Sequence, residues 1–497
     1  MSPSIPDDNS NQVYDQVIVD ITTYVYHHKP TSVKAWHHAR IALLDALGCA
    51  IETLTTSHEC GRMLGPVVPA TKVPNGFRLP GTSYQLDPIK GAFDMAVLIR
   101  YLDHSDGFYG AEWGHPSDNL GAILAVSDWL DRSAIDKLES HLNRRPLTIS
   151  TLLNALIKAY EIQGIFQIRN SFNALGIDHV ILVKIAATAV TCWLLELSEL
   201  QTQAAISHAW IDGHPLRTYR HAPNAGPRKG WAGGDACMRA VQLALLTRSG
   251  QPGAPTALTA PRWGFYTAMF KSQAFAFHRP FGTWVIENIF FKLVPAEGHA
   301  ISALEAMLEI SRTMANRGFD VDVDIAKIRV RTHAGAILII NKSGKLHNAA
   351  DRDHCIQYMM AVTLLKGSMI ESSDYKDDSC WANDIRVDRL RTKIELVEEK
   401  RFSEEYLDVD KRSAANGVKV ELHSGQELDE VVVEYPLGHT LRSETLGAVE
   451  TKIRKNLERG FSPQHAGKIM AASKDMDMPV REFLDLFVSP KDMVARL

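Results

Sequence analysis

YLDHSDGFYGAEWGHPSDN, residues 101–119, packs four carboxylates (Asp103, Asp106, Glu112, Asp118), two histidines (His104, His115), Tyr109, Trp113 and three glycines into nineteen positions. The stretch before it, PIKGAFDMAVLIRYL, reads as a helix, with Pro88 suited to the first turn and Ala92, Met95, Ala96 and Leu98 at helical spacing. The stretch after it, LGAILAVSDWL, restores that spacing, and Ser117 or Asp118 suits an N-cap. A polar loop therefore hangs between two buried helices, a frequent place for chemistry. Read as a solvated loop, Gly107, Gly110 and Gly114 would only make turns, but Tyr109 and Trp113 beside the charges argue against full exposure.

Outward from this loop the chain reads as helix after helix. Helical patterns cover Val13–His28 and Ser32–Glu52, then 148–163, 179–197, 199–211 and 229–248, with a Pro/Gly-rich connection at 65–88. His27, His28, His37 and His38 read as exposed helix residues, since two adjacent pairs do not make a metal-ligand spacing. After Pro280 the texture changes. VDVDIAKIRVRTH alternates as a strand, a helix follows at 354–366, a polar loop at 370–384, and residues 417–435 (GVKVELHSGQELDEVVVEY) read as a hairpin turning at Ser424-Gly425. Residues 446–497 return to helix. The expected fold is mainly α with an α+β second domain: a helical domain at 1–285 (1–10 disordered), an α+β lid at 286–440, and C-terminal helices at 441–497 that rejoin the first domain.

The 497 residues carry a formal net charge of −4, which supplies no global basic field for nucleic acid or an anionic membrane. No uninterrupted apolar run approaches the length of a membrane span. Six scattered cysteines include no CxxC pair, so no metal site built on local spacing is expected, and a reducing compartment fits. The N-terminal MSPSIPDDNSNQVYDQ is acidic, unlike a secretory signal or an Arg-rich presequence, and Ala495-Arg496-Leu497 is a conservative variant of the SKL-type peroxisomal address. The expected location is cytoplasmic or peroxisomal.

Two polar segments interrupt the helices. IRNSFNALGIDH (168–179) ends at His179, where an apolar helix opens. LRTYRHAPNAGPRKGWAGGDA (216–236) sets Arg217, Arg220, His221, Arg228 and Lys229 within thirteen residues on a loop feeding a new helix, which reads as an anion site. If this loop converges with 103–118, groups that move protons face cations that hold carboxylates. That combination suits elimination of water from a hydroxy-polycarboxylic acid, with a base, an acid and cations for the developing charge. No dinucleotide fingerprint or P-loop is present.

Several long words in order resemble the MmgE/PrpD family, in its 2-methylcitrate dehydratase branch: LDHSDGFYGAEWGHPSDNLG, PLRTYRHAPNAGPRKGWAGGDA, ALTAPRWGFY, AADRDHCIQYM and EVVVEYPLGH. The similarity runs from about Tyr14 to the C-terminal helices. It implies a homodimer, a small tricarboxylate substrate, and dehydration without a metal or other cofactor. It also implies that Asp103, His115, His179, Lys229 and Lys292 are the catalytic set, with base and acid unassigned. Arg217, Arg220 and His354 fall on words shared with the methylcitrate branch, and with His221, Arg228, Asp106 and Gly107 they are the expected substrate-binding residues.

Departures from the pattern refine this. The methylcitrate branch reads Asp-Phe-Asn-Asp-Thr where this chain has Asp103-His104-Ser105-Asp106-Gly107, so Gly107 is expected to open space in the pocket. The segment after Lys292 is one residue short. Ile337 stands where the cis-aconitate decarboxylase branch has a tyrosine, which disfavours decarboxylation. The resulting expectation is dehydration of a 2-alkylcitrate bulkier than 2-methylcitrate, as in pathways to alkylated maleic anhydrides. The alternatives are a housekeeping 2-methylcitrate dehydratase, a cis-aconitate-type decarboxylase, and a non-catalytic dimer that binds polycarboxylates.

Overall fold

The structure, a computed structural model, describes residues 13–135, 145–221 and 223–488. The extreme N-terminus and the Ala-Arg-Leu tripeptide lie outside the described residues. Long helices form the first layer: α1 (Gln16–His27), α2 (Val33–Thr56), α3 (Pro88–Arg100), α4 (Leu120–Ile135), α5 (Ile149–Arg169), α6 (Val180–Leu194), α7 (Glu199–Ile211) and α8 (Arg228–Arg248). Their starts follow from sequence. Ser32 accepts from the Ala35 amide, Asp87 accepts from the Ile89 and Lys90 amides ahead of Pro88, and Ser198 with Gln201 makes a capping box. Helices α3 and α8 approach closely because α8 carries Gly234 at the crossing; a β-carbon there would come within 2.7 Å of Val97 and 2.8 Å of the Phe93 carbonyl.

After residue 290 come α9 (Ile301–Arg317), β1 (Ile325–Thr332), α10 (Ala334–Ile340), α11 (Ile356–Lys366), β2 (Ile394–Glu398), α12 (Lys400–Leu407), β3 (Asn416–Leu422) and β4 (Val431–Val433). The sheet order is β2-β1-β3-β4, with β1 parallel to β2 and antiparallel to β3. Strand β1 is shorter than the alternating run VDVDIAKIRVRTH. Asp320 accepts from the Asp322 and Val323 amides and turns the first part of the run into a loop. A register shift between Ile325 and Lys327 then sets the pairing. The hairpin closes at Gly425, whose φ of +81° suits glycine, and Val418 pairs with Val431. A two-residue ladder, Phe77–Arg78 against Gln85–Leu86, interrupts the connection at 65–88. His38 corrects the expectation of exposed helix histidines: it is buried, with Nδ1 3.2 Å from the Ile286 carbonyl.

Two hydrophobic clusters result. One joins the helices of residues 14–291 with Val449, Ile453, Leu457 and Phe483 of the C-terminal segment. The other joins α9, α11 and the sheet. The loop at 101–119 belongs to both, with Phe108 in the first cluster and Tyr109 in the second. Gly107 and Phe290 exchange backbone hydrogen bonds of 2.8 and 2.9 Å across the seam.

Helix α13 (Thr445–Leu457) locks this seam. Its buried Lys452 ammonium lies 2.8 Å from Asp45 Oδ1 and donates to the His104 carbonyl at 2.6 Å and the Lys292 carbonyl at 2.7 Å. Lys452→Met leaves a buried carboxylate and two carbonyls without that donor, and should lower unfolding free energy by about 3–5 kcal/mol. Urea titration followed by circular dichroism checks it; a loss below about 1 kcal/mol would contradict the locking role.

Candidate active site

Asp103 follows the last turn of α3 with φ +53°, a left-handed conformation uncommon for a residue with a side chain. Lys292, from the segment entering the second cluster, donates to the Asp103 carbonyl at 3.1 Å and to its carboxylate. Arg100 Nη1 donates to the same carboxylate oxygen at 2.6 Å. Burial alone would raise the Asp103 pKa, but Arg100, Lys292 and Lys229 hold it well below the usual carboxylate range. Burial in turn pulls Lys292 down, against the pull of Asp103.

Around this pair the chain gathers the expected residues. Asp103, His115, His179, Lys229, Lys292, Arg217, Arg220 and His354 are each at most 8 % exposed. Arg100 Nη2 donates to His115 Nε2 at 2.8 Å, so that nitrogen carries the lone pair. Nδ1–H of His115 then donates to the Asp106 carbonyl at 2.6 Å. Burial first, then Arg100 and Lys292, push the His115 pKa far down, so the imidazole is neutral. The His179 ring lies 5.6 Å from that of His115, and neither of its nitrogens has a hydrogen-bond partner among the described residues. Burial keeps His179 neutral too, although Asp178 opposes it.

On one flank, Lys229 is bonded to Asp353 and lies 4.0 Å from Asp103 Oδ2. His354 Nδ1 is 2.8 Å from Asp353 and 3.2 Å from the Lys229 ammonium. The shorter contact places its Nδ1–H on the carboxylate, since one nitrogen cannot serve both. On the other flank Arg220 grips Asp178 through two nitrogens, and Arg217 lies 3.7 Å from Asp178 and 3.9 Å from Glu112. Burial raises Glu112 to about 8 and Asp118 to about 7, so at neutral pH the cations outweigh the ionised carboxylates.

Three expected binding residues are placed otherwise. Arg228 stacks 4.1 Å over Trp231 and pairs with Asp235, and its side chain is 37 % exposed, unlike the buried cluster residues. Asp106 is fully engaged: one oxygen accepts from the Ser117 amide at 3.1 Å and the other from the Tyr160 hydroxyl at 2.6 Å, so it braces the loop. Gly107 opens no space, because the Trp113 indole fills it; a β-carbon there would come within 2.4 Å of Cζ2. His221 lines a neighbouring cleft of about 500 Å³ with Glu112, Arg217, His299, His333 and Tyr406. Sequence reading missed Arg100, Asp178 and Asp353. Asp178 and Asp353 each directly precede an expected histidine, a signal that could have found them.

Among the described residues, Cys49, Glu52 and His104 form a trio with ligand atoms within 4.8 Å. His104 Nδ1 is already 2.6 Å from Glu52, and the Lys452 ammonium beside them suits an ion pair better than a metal.

Residues 19–278 match the MmgE/PrpD N-terminal domain and residues 294–477 the MmgE/PrpD C-terminal domain. The chain is 53 % identical over 486 residues to the 2-methylcitrate dehydratase-like protein oryR of Aspergillus oryzae, covering 97 % of each. It is 52 % identical over 475 residues to the alkylcitrate dehydratase phiI of Fungal sp., covering 96 % of this chain and 94 % of that one. To the 2-methylcitrate dehydratase of Cupriavidus necator it is 50 % identical over 479 residues, covering 95 % and 97 %.

The Glu112–Arg217 contact sets a pH dependence. Below about pH 8 Glu112 is neutral, and Arg217, 3.7 Å from Asp178, can also take a ligand carboxylate; above it, ionised Glu112 competes. Citrate affinity, read by titration calorimetry, should fall severalfold from pH 7 to pH 9, and Glu112→Gln should flatten that fall. An unchanged slope in the variant would refute the coupling.

Proposed function

The chain belongs to the MmgE/PrpD family, and from that premise we infer a hydro-lyase that removes water from a 2-alkylcitrate to give the alkyl-aconitate. The observation that carries the chemistry is the convergence of Arg100, Lys229 and Lys292 on Asp103, with Arg217 and Arg220 on neighbouring Asp178 and two neutral imidazoles among them. Before substrate arrives the cations are paired with Asp103, Asp178 and Asp353, so the carboxylates of a tricarboxylate exchange for partners already in place.

The reaction needs three things: a base for the proton on the alkyl-bearing carbon, cations for the charge that spreads into the adjacent carboxylate, and an acid for the departing hydroxyl. His179 is our candidate base, because its Nε2 has no partner among the described residues, its Nδ1 lies 3.3 Å from Asp178 Oδ1, and the ring is neutral. Arg100 and Lys292, oriented by Asp103, stabilise the enediolate charge, and His115 is held as an acceptor facing Arg100. Lys229, with His354 and Asp353, supplies the proton with which hydroxide leaves as water. The balance is closed: C–H and C–O bonds break, a C=C bond forms, and water leaves.

The alkyl group is the finer part of the reading. Likeness to an alkylcitrate dehydratase supports a substituent longer than methyl, and likeness to 2-methylcitrate dehydratases supports methyl. We also infer a homodimer, from family resemblance, for which sedimentation equilibrium is the check. No helix among the described residues is long and apolar enough to cross a membrane.

With a chelator present, the purified protein should convert 2-alkylcitrates to a conjugated alkene followed by absorbance. His179→Gln should lower kcat by about 10²–10⁴ with little change in KM. A variant that keeps near-full kcat would move the base elsewhere, and no alkene from any alkylcitrate would refute the dehydratase reading.

A further inference from the structure

The cleft of about 500 Å³ beside the buried cluster runs between the two hydrophobic clusters and changes character along its length. At its inner end are Arg217 and Glu112, beside the cation cluster. Its middle is aromatic: Trp113, Tyr406 and His333, the last two stacked at 4.5 Å between centroids. Trp113 is also the partition to the chemistry, with its ring 5.8 Å from His115 on one side and 5.4 Å from His299 on the other. Its outer end is aliphatic, with Ile339 and Leu338 from α10 and Leu407 from the end of α12.

Leu338 is 69 % exposed and Leu407 is 55 % exposed. A single exposed leucine needs no explanation, but two that converge with Ile339 on one cleft make an apolar mouth on a site otherwise full of charge. Two glycines fix the shape of this passage. A β-carbon on Gly107 or on Gly298 would come within 2.4 Å of Cζ2 of Trp113, so both positions are bare and the indole lies back against them. A side chain at either would drive the indole out of that seat. The departure from the family pattern at Gly107 therefore acts at one remove, through the position of Trp113.

We propose that this cleft seats the alkyl substituent of the substrate, with Arg217 holding a carboxylate at its inner end and Trp113, Ile339, Leu338 and Leu407 burying a chain of several methylenes. The proposal rests on the dehydratase reading and adds the place and the length of the substituent. The occupant follows from the gradient: a group tethered to a carboxylate at Arg217 and leading outward meets aromatic faces and then aliphatic side chains. A methyl group would leave most of the cleft unfilled. Since each buried methylene contributes about 0.8 kcal/mol, each added carbon should improve kcat/KM by up to about fourfold until the mouth is reached.

The test is kcat/KM for 2-methyl-, 2-butyl-, 2-hexyl- and 2-octylcitrate with the full-length protein and two variants, Leu338→Glu at the mouth and Ala334→Trp in the wall. The wild type should prefer the hexyl over the methyl substrate by at least about tenfold. Leu338→Glu should cut that ratio about tenfold, and Ala334→Trp should move the optimum to shorter chains. Flat chain-length dependence, or a preference that neither variant alters, overturns the groove while leaving dehydration intact. No turnover of any member by the wild type instead overturns the dehydratase reading on which it rests.

Discussion

The ion triad of Arg100, Asp103 and Lys292 is the constraint on which the rest depends. Its three members come from the end of one helix, from the loop beyond it and from the segment that enters the second hydrophobic cluster. The carboxylate is buried in a left-handed backbone conformation, which disfavours it twice, through desolvation and through sterics. Two cations on one oxygen and a bond from Lys292 to the backbone carbonyl offset both. Every other charged group of the site is arranged around this fixed point.

That arrangement explains why so many like charges can share a dry interior. Each cation has a carboxylate partner, and carboxylates that would over-neutralise the site, Glu112 and Asp118, are pushed toward their neutral forms by burial. The imidazoles are neutral for the converse reason, being buried among cations. The interior is therefore poised with positive charge, but only by a margin that a polyanion can use.

Much of this was legible in the chain, for identifiable reasons. Long helices announced themselves through period and caps, and Lys229, His179, Lys292 and His354 fall on words specific enough to carry over; in space they stand around Asp103. Arg100 was not legible, because at the end of an apolar helix it looks like an ordinary basic residue in the last turn. Arg228 misled by sitting in a dense basic cluster, where sequence cannot say that one turn of helix rotates it onto Trp231. Asp106 and Gly107 misled because loop residues read as available, whereas Tyr160, Ser117 and Trp113 had claimed them. Strand β2 is five residues between two helices and joins the sheet by a parallel pairing that no local turn signals.

Lys452 carries a consequence for the order of events during synthesis. Its ammonium bonds the carbonyls of His104 and Lys292, on either side of the seam, yet it lies on α13, about nine-tenths of the way along the chain. A nascent chain with every residue of the cluster outside the ribosome still lacks the clamp that joins the two sides. That clamp closes only when translation is all but finished, and a message truncated before Lys452 would yield a protein with every reactive group of the cluster but without this bond across the seam.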